Sequence, residues 1–575
     1  MGWNLVDGDF TAQWYPPSVE EGCLRTKSVF KIGVAVGHKI WPAMILMVFV
    51  CWTLRVPLMS FDDGFWGPEN AWTNRDFLGA WWLFLSANGA GMPWDSTVQA
   101  LSNQSWPDGT SSLAFHIPNP FDGWLIGPWV TVDGFPLWWN GLQFFHHTAN
   151  MLAALCLVRA AGASRFAAIG ATCLVASCPV MLHEIAGGRT LSGVAWPGLL
   201  GLALLLRNKA PWAGLLIGIQ GLCYIYTGLL FGLVALVLRP HRSLVFAALP
   251  ILPYLWWLEP VWGSLRGEAP PAGHSSLPLG GLLSGWWGVP NLTERFLFQP
   301  FLLLGFALPF VRGIERLKAW KWVGLGGFML LIAVGPNVEW GRGDVLMVSP
   351  ISWFLSGPEL TRMHHPVRTV LLAAPLLAVS TALLLDRLPR QMIWVPLIVA
   401  VLCGDRMTRA VPYGVSAEPP GHSAALWLRD NGTAVVDLTG KGGPALGLAP
   451  IHNLPMLEGL RQLRPAANRV VPSLREGVDR WIGCSDGCAG GVSGICEDGG
   501  YGAISSTCAL GMDCTDCGPR AGQSQPLLVE QLVNAGFTHV LAVDRGNGID
   551  TSALEMDLGA PVFPGVYALP VPIMP

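Results

Sequence analysis

Three aspartates near the start of the chain have the side chain that a general base requires. Asp62, Asp63 and Asp76 follow the first long apolar segment and lie in or beside a tryptophan-rich stretch, 66–82. A carboxylate that is partly withdrawn from water becomes more basic, and such a group can take a proton from a hydroxyl nucleophile. We therefore predict that one of these aspartates is catalytic. The alternative is that they are ordinary charges on a solvated loop.

Two further clusters combine arginine with histidine or glutamate. The first consists of His183, Glu184 and Arg189, and the second of Arg362, His364, His365 and Arg368. Arginine binds phosphate through paired hydrogen bonds, so these clusters are predicted to bind an anionic substrate. The alternative is that the arginines pair with lipid headgroups or with the loop aspartates.

A third group of reactive side chains lies in a glycine-rich segment, 481–520. It consists of Cys484, Cys488, Cys496, Cys508, Cys514 and Cys517. An even number of clustered cysteines in a segment with little apolar content is typical of a disulfide framework. The spacing of Cys514 and Cys517 also fits a zinc ligand pair or a redox-active pair. We predict disulfides, because the topology derived below places this segment in an oxidising compartment.

The elements that must position these groups are long apolar segments. The chain has 575 residues, of which 51% are hydrophobic and 13% charged, whereas soluble proteins have about 25% charged residues. Spanning a bilayer requires roughly 20 apolar residues. On this basis the sequence predicts about eleven transmembrane helices, at 40–59, 135–158, 166–182, 192–206, 211–225, 227–238, 244–262, 296–311, 322–335, 367–385 and 391–404.

Basic residues orient these segments, because they remain on the cytoplasmic side of a membrane. The loops that contain them alternate along the chain, which predicts a cytoplasmic N-terminal segment (1–39). A transmembrane domain (40–405) with a large external loop (60–134) follows, and then an extracytoplasmic α/β domain (406–575) with the cysteine insert. The segments 211–225 and 227–238 could instead form one broken helix, which would reverse everything downstream.

Several classes of protein are disfavoured by the sequence. A net charge of −3 does not suggest a nucleic-acid partner, since nucleic-acid-binding domains are basic. The chain has no phosphate-binding P-loop, no dinucleotide-binding glycine pattern, and none of the zinc-protease or serine-hydrolase motifs. No metal site is assigned, although a divalent cation remains open as a cofactor. His146 and His147 lie within an apolar segment, where we expect interhelical hydrogen bonds.

Several blocks of the sequence resemble the GT-C superfamily of polytopic membrane glycosyltransferases, in particular its YfhO-like bacterial relatives. The resemblance includes an external loop with acidic residues after the first predicted helix. The blocks are NRDFLGAWW (74–82), WPDGTSSLAFHIPNPFD (106–122), HEIAGGRT (183–190), GIQGLCYIYTGLL (218–230), PELTRMHHPVR (358–368), VVDLTGK (435–441), APIHNLPMLEGLRQLRP (449–465) and FTHVLAVD (537–544).

The resemblance implies transfer of a sugar from a polyprenyl-phosphate-linked donor to an acceptor of the cell envelope. The implied base is Asp76 by its position in the block, or Asp62 or Asp63 by proximity to the first helix. The implied leaving-group site consists of Arg189, Arg362 and Arg368, with His364 and His365, because cations stabilise charge that develops on a departing phosphate. The chain departs from the family in that only Asp62 and Asp63 form an adjacent acidic pair.

Three other functions remain open. One is a non-catalytic GT-C-like protein that binds lipid-linked glycans during envelope assembly, another is a transporter, and the third is an adhesion or scaffold protein. Internal repeats and midplane charges typical of transporters are not evident. We expect a multi-pass protein of the bacterial inner membrane whose partners are a lipid-linked sugar donor and membrane lipid.

Overall fold

A computed structural model gives the structure of the chain over a defined set of residues. They are 44, 47–49, 51, 65–67, 100–101, 110–111, 121, 135–186, 193–258, 277–283, 298–311, 315–340, 345–350, 352, 366–388, 398, 401–402, 414–416, 422–431, 434–438, 445–448, 481, 525–534, 537–543 and 549–570. Most of these residues are helical. The structure has two parts, an apolar helical bundle and a smaller α/β unit, and each has its own buried core.

Ten α-helices lie in the bundle among the described residues. In chain order they are α1 (Phe135–Ala160), α2 (Arg165–Ala176), α3 (Pro179–Ala186), α4 (Trp196–Leu206), α5 (Ala210–Cys223), α6 (Ile225–Leu238), α7 (Ala248–Leu258), α8 (Leu279–Leu283), α9 (Arg316–Val334) and α10 (Val370–Leu385). Three 3₁₀ segments accompany them, at Arg242–Ala247, Pro300–Phe310 and Pro366–Thr369.

Helix α10 occupies the centre of the bundle. Every residue from Val370 to Ala382 is buried, as expected for a helix that is apolar around its whole circumference. It packs against α9, α2, α1 and the 3₁₀ segment Pro300–Phe310, while α4 packs against both α1 and α5. One continuous cluster of buried apolar side chains runs through these elements.

The predicted segment 166–182 does not form a single helix. Helix α2 ends at Ala176, and α3 begins at Pro179. Proline disfavours helical backbone at the preceding residue and is well suited to a first helical position, so Pro179 separates the two helices. The buried break is stabilised by Ser177, whose hydroxyl accepts a 2.8 Å hydrogen bond from the Gln299 amide.

Two helical stretches in the described part of the chain have the length and apolar composition required to cross a membrane. They are Leu317–Val334 and Pro366–Leu385, which correspond to the predicted segments 322–335 and 367–385. Six other apolar helical stretches among the described residues are shorter, at 10–17 residues. Helix α4, for example, has 11 residues and a length of about 16 Å.

The α/β unit has a four-stranded sheet with the strand order β10-β9-β7-β8. Its helices are α11 (His422–Asn431), α12 (Gln525–Asn534) and α13 (Thr551–Leu558), and its strands are β7 (Ala434–Asp437), β8 (Ala445–Leu448), β9 (His539–Leu541) and β10 (Val566–Ala568). Strands β7 and β9 are parallel, and each follows a helix. The sequence itself predicts both pairs, because a helical segment that ends in glycine is followed each time by an apolar strand. The pairs are ALWLRDNG (425–432) with TAVVDL (433–438), and LLVEQLVNAG (527–536) with THVLAVD (538–544).

An aromatic group on this unit surrounds His539 of β9. The Trp427 ring lies edge-on to the imidazole, with a centroid separation of 5.5 Å, and stacks on Phe563 at 5.7 Å. Burial lowers the pKa of His539, because a low-dielectric environment disfavours the charged imidazolium. Burial, followed by the charge of Glu555, raises the pKa of Tyr567 on the neighbouring strand.

The remaining strands are short and form three antiparallel pairs. Strand β1 (Phe65–Gly67) pairs with β6 (Gly414–Ser416), and β2 (Ala100–Leu101) pairs with β3 (Thr110–Ser111). Strands β4 (Asn337–Glu339) and β5 (Val345–Val348) form a hairpin directly after α9. The β1–β6 pair connects the predicted external loop with the segment that precedes α11.

Candidate functional site

A buried ion pair joins two of the residues selected from the sequence. Arg368 Nε lies 3.0 Å from Glu184 Oε2 and donates a hydrogen bond to it. The Glu184 side chain is 0% exposed and that of Arg368 is 12% exposed. Helix α3 supplies the glutamate, and the 3₁₀ turn before α10 supplies the arginine. The two residues are 184 positions apart in the sequence, so only the folded bundle brings them together.

Tyr224 completes this cluster from a third element. It occupies the turn between α5 and α6, and its hydroxyl accepts a 3.3 Å hydrogen bond from a terminal nitrogen of Arg368. The guanidinium carbon also lies 5.6 Å from the centre of the tyrosine ring, a distance suited to a cation–π interaction. We refer to Glu184, Tyr224 and Arg368 as the arginine cluster.

A buried glutamine fixes the turn that contains Tyr224. The Gln220 amide nitrogen donates to the Val194 carbonyl at 2.7 Å and to the Thr227 hydroxyl at 3.0 Å, and its oxygen accepts from the Gly198 amide at 3.2 Å. Thr227 in turn donates to the Tyr224 carbonyl at 2.8 Å. These bonds connect the α5–α6 turn to the start of α4.

A second buried amide positions the same start of α4 from the opposite side. Asn150 of α1 donates to the Gly193 carbonyl at 2.8 Å and accepts from the Ala195 amide at 2.9 Å. His146, one turn away, accepts a 3.3 Å hydrogen bond from the Trp196 indole. This bond is interhelical, as the sequence analysis expected for His146. Segment 193–198, which follows the sequence around Arg189, is therefore fixed by both Asn150 and Gln220.

The arginine cluster has chemical properties suited to binding an anion. The buried carboxylate and the tyrosine hydroxyl fix the orientation of the guanidinium, while part of the Arg368 side chain remains accessible. An arginine held in this way binds an anion with little further loss of side-chain entropy. Glu184 is completely buried and therefore acts on a ligand through the groups that it contacts, of which Arg368 is one.

No family model matches this chain. No curated protein sequence matches it either. The arginine cluster is consequently interpreted from its own geometry.

The structure brings together only part of the predicted site. Glu184 and Arg368 are in contact, and His183 lies in α3 with a side chain outside the described set. The remaining predicted residues lie outside the described residues: Asp62, Asp63, Asp76, Arg189, Arg362, His364, His365, Cys484, Cys488, Cys496, Cys508, Cys514 and Cys517. No group of side chains suited to holding a metal ion occurs among the residues that were described.

Tyr224, Gln220 and Asn150 are not among the site residues predicted from the sequence. A usable signal was present for Tyr224, because the YIYT stretch at 224–227 interrupts two apolar segments. A tyrosine at such a break lies where two helices end, and its hydroxyl can contact polar groups at the ends of neighbouring helices. Gln220 and Asn150 are single polar residues within apolar helices, which is the pattern expected of interhelical hydrogen-bonding groups.

Proposed function

We propose that this chain is an integral membrane glycosyltransferase of the GT-C type. It transfers a sugar from a polyprenyl-phosphate-linked donor to an envelope acceptor on the outer face of the membrane. The observation that carries the proposal is the arginine cluster, in which the Arg368 side chain is 12% exposed and is held by a buried carboxylate and a tyrosine. In the proposed orientation, Glu184, Tyr224 and Arg368 all lie at outer helix ends, where the phosphate of a lipid-linked donor resides.

The distribution of polar and apolar side chains supports a membrane location. On α6 the exposed residues Leu229, Leu233, Leu236 and Val237 follow helical spacing along one face, whereas Phe231 is buried. The interior contains buried polar side chains: Asn140, Gln143, His147, Asn150, Glu184 and Gln220. Soluble proteins expose few contiguous apolar surfaces, and polar groups in membrane bundles face the bundle interior.

The proposed reaction requires two kinds of charged group in addition to the donor, a carboxylate and arginine. An aspartate of the external loop, Asp76 or one of Asp62 and Asp63, takes the proton of the acceptor hydroxyl, which attacks the anomeric carbon. The bond from that carbon to the phosphate oxygen breaks, and the leaving phosphate gains negative charge. Arg368, with Arg189 and Arg362, stabilises this charge.

A non-catalytic protein that binds lipid-linked glycans is the second candidate. It is favoured by the pairing of Arg368 with Glu184, because the carboxylate already neutralises the guanidinium and so weakens its effect on a departing phosphate. Binding of a lipid phosphate requires less net positive charge than stabilisation of a leaving group. The two candidates therefore share the arginine cluster and differ in whether the loop aspartates act.

Replacement of the proposed base tests the catalytic assignment. In membranes supplied with polyprenyl-phosphate-linked hexose or pentose, Asp76→Asn is expected to abolish sugar transfer at unchanged expression. Asp108→Asn, in the same loop, serves as the matched control and is expected to retain transfer. If transfer persists both in Asp76→Asn and in a combined Asp62→Asn/Asp63→Asn variant, the catalytic assignment is wrong. The second candidate would be established if the unmodified protein binds the donor without transferring the sugar and if Arg368→Gln protein that remains folded in detergent does not bind it.

A further inference from the structure

Strand β5 exposes four consecutive apolar side chains. Val345, Leu346, Met347 and Val348 are each between 55% and 63% exposed. Trp340, at the other side of the hairpin turn, is 49% exposed. Such a run is costly in water, because about 25 cal/mol is lost per Å² of apolar surface left exposed.

Because β5 is a strand, its exposed apolar side chains lie on both faces and not on one. Successive side chains point to opposite faces, so β5 presents apolar groups on both of its faces. A strand that covers a protein core and contacts water alternates apolar with polar residues. An environment that is apolar on both sides of the strand is provided by lipid.

The position of the hairpin is fixed by the end of α9. This helix ends at Val334, β4 begins at Asn337, and the Ser349 amide donates a 2.8 Å hydrogen bond to the Pro336 carbonyl. The connection reaches at most about 10 Å. Helix α9 contains one of the two stretches with the length and composition to cross a membrane, so the hairpin would emerge at the bilayer surface.

We propose that β5 is an anchor that inserts its side chains into the outer leaflet of the bilayer. The anchor rests on the proposed membrane location and does not depend on the transferase activity. Among the described strands, β5 pairs only with β4, so this hairpin is a two-stranded sheet and not part of a closed barrel. Open sheets are excluded from the hydrocarbon centre, so the strand lies at the level of the headgroups and upper acyl chains. Tryptophan is enriched at that level, in agreement with the exposed Trp340.

A fluorescent label on β5 tests the anchor. Leu346→Cys in the full chain is labelled with an environment-sensitive dye and reconstituted in phosphatidylcholine–phosphatidylglycerol vesicles, and the signal of identically treated unmodified protein is subtracted. We expect a blue-shifted emission that is quenched by lipids brominated near the headgroup. Lipids brominated near the chain ends and aqueous iodide should quench it less.

Labels at two other positions serve as references for the label at 346. Leu233→Cys lies on the exposed apolar face of α6, and Met556→Cys lies on an exposed position of the α/β unit. Bromine quenching at 233 together with iodide quenching at 346 overturns the anchor alone. Iodide quenching at both 233 and 556, without bromine quenching at 233, overturns the membrane location itself. A label at 346 that is protected from both quenchers shows a protein partner on β5 and also overturns the anchor.

Discussion

At the scale of single residues, the chain retains a charge pair where burial is expensive. Removing a carboxylate and a guanidinium from water costs several kcal/mol per ion, and only close hydrogen bonding offsets this cost. Glu184 is completely buried and makes such a bond to Arg368 at 3.0 Å. A pair of this kind contributes little net stability compared with apolar residues, but the loss of one partner leaves the other charge uncompensated.

We expect Arg368→Gln to lower the free energy of unfolding by about 3–5 kcal/mol, because the buried Glu184 carboxylate loses its ion pair and hydrogen bond with Arg368. Glu184→Gln is expected to cost less, since Arg368 is partly accessible. The measurement is unfolding by sodium dodecyl sulfate titration of the purified protein in detergent micelles.

The combined Glu184→Gln/Arg368→Gln variant provides the control for this pair. Because neither charge is then left alone, its destabilisation should be smaller than the sum of the two single changes. Strictly additive effects would show that the two side chains do not interact in the way described here.

At the scale of elements, the turn between α5 and α6 determines whether these segments are two helices or one broken helix. The two helices pack against each other, and the Tyr224 backbone between them is extended. A Cβ atom added to Gly228 would overlap the backbone of Gly221. In one continuous helix, residues seven apart are about 10 Å apart along the axis. Segments 210–223 and 225–238 therefore form a helical hairpin, which supports counting them as two elements.

Gly228→Ala should destabilise the protein by about 1–3 kcal/mol, since the added methyl group forces the two helix backbones apart. The matched change is Gly232→Ala, one turn further along α6, where an added Cβ meets nothing within 4 Å. That variant should be neutral or more stable by up to about 1 kcal/mol, because alanine is the better helix former. Thermal unfolding of both variants in one detergent provides the comparison, and equal melting temperatures would contradict the close contact at Gly221.

At the scale of the whole molecule, the predicted state of the clustered cysteines follows from the orientation that we propose in the membrane. The five cysteines among the described residues are in the reduced thiol form: Cys51, Cys156, Cys173, Cys178 and Cys223. The cluster at 481–520 is predicted to face an oxidising compartment, which favours disulfides in small segments with little core. The prediction of disulfides therefore depends on an outer location of the α/β unit.

When the protein is produced in a bacterial host and denatured without reductant, we expect the cysteines from Cys484 to Cys517 to resist alkylation. Reduction should make them reactive, as seen in the peptide mass spectrum. If a metal chelator without reductant makes these cysteines reactive towards alkylation, they are zinc ligands and not disulfides. A C-terminal alkaline phosphatase fusion should be active, because this reporter requires the outer compartment. An inactive fusion together with freely alkylated cysteines would reverse the predicted topology.

The sequence alone located most of the helices, because length and apolar composition are properties of contiguous segments. It placed α1, α5, α6 and α10 within a few residues of their bounds, and the helix–strand pairs of the α/β unit followed from local patterns in the same way. It failed at 166–182, where apolar composition extends through a break that Pro179 imposes.

The tertiary structure decided which polar groups meet. The sequence selected Glu184 and Arg368 separately, as members of two clusters, and their contact depends on the packing of α3 beside the 3₁₀ turn at Pro366–Thr369. Tyr224 joined them only because the close approach of Gly221 and Gly228 folds α5 back on α6. A local pattern specifies a helix, whereas a hydrogen bond across 184 positions depends on how every intervening element packs.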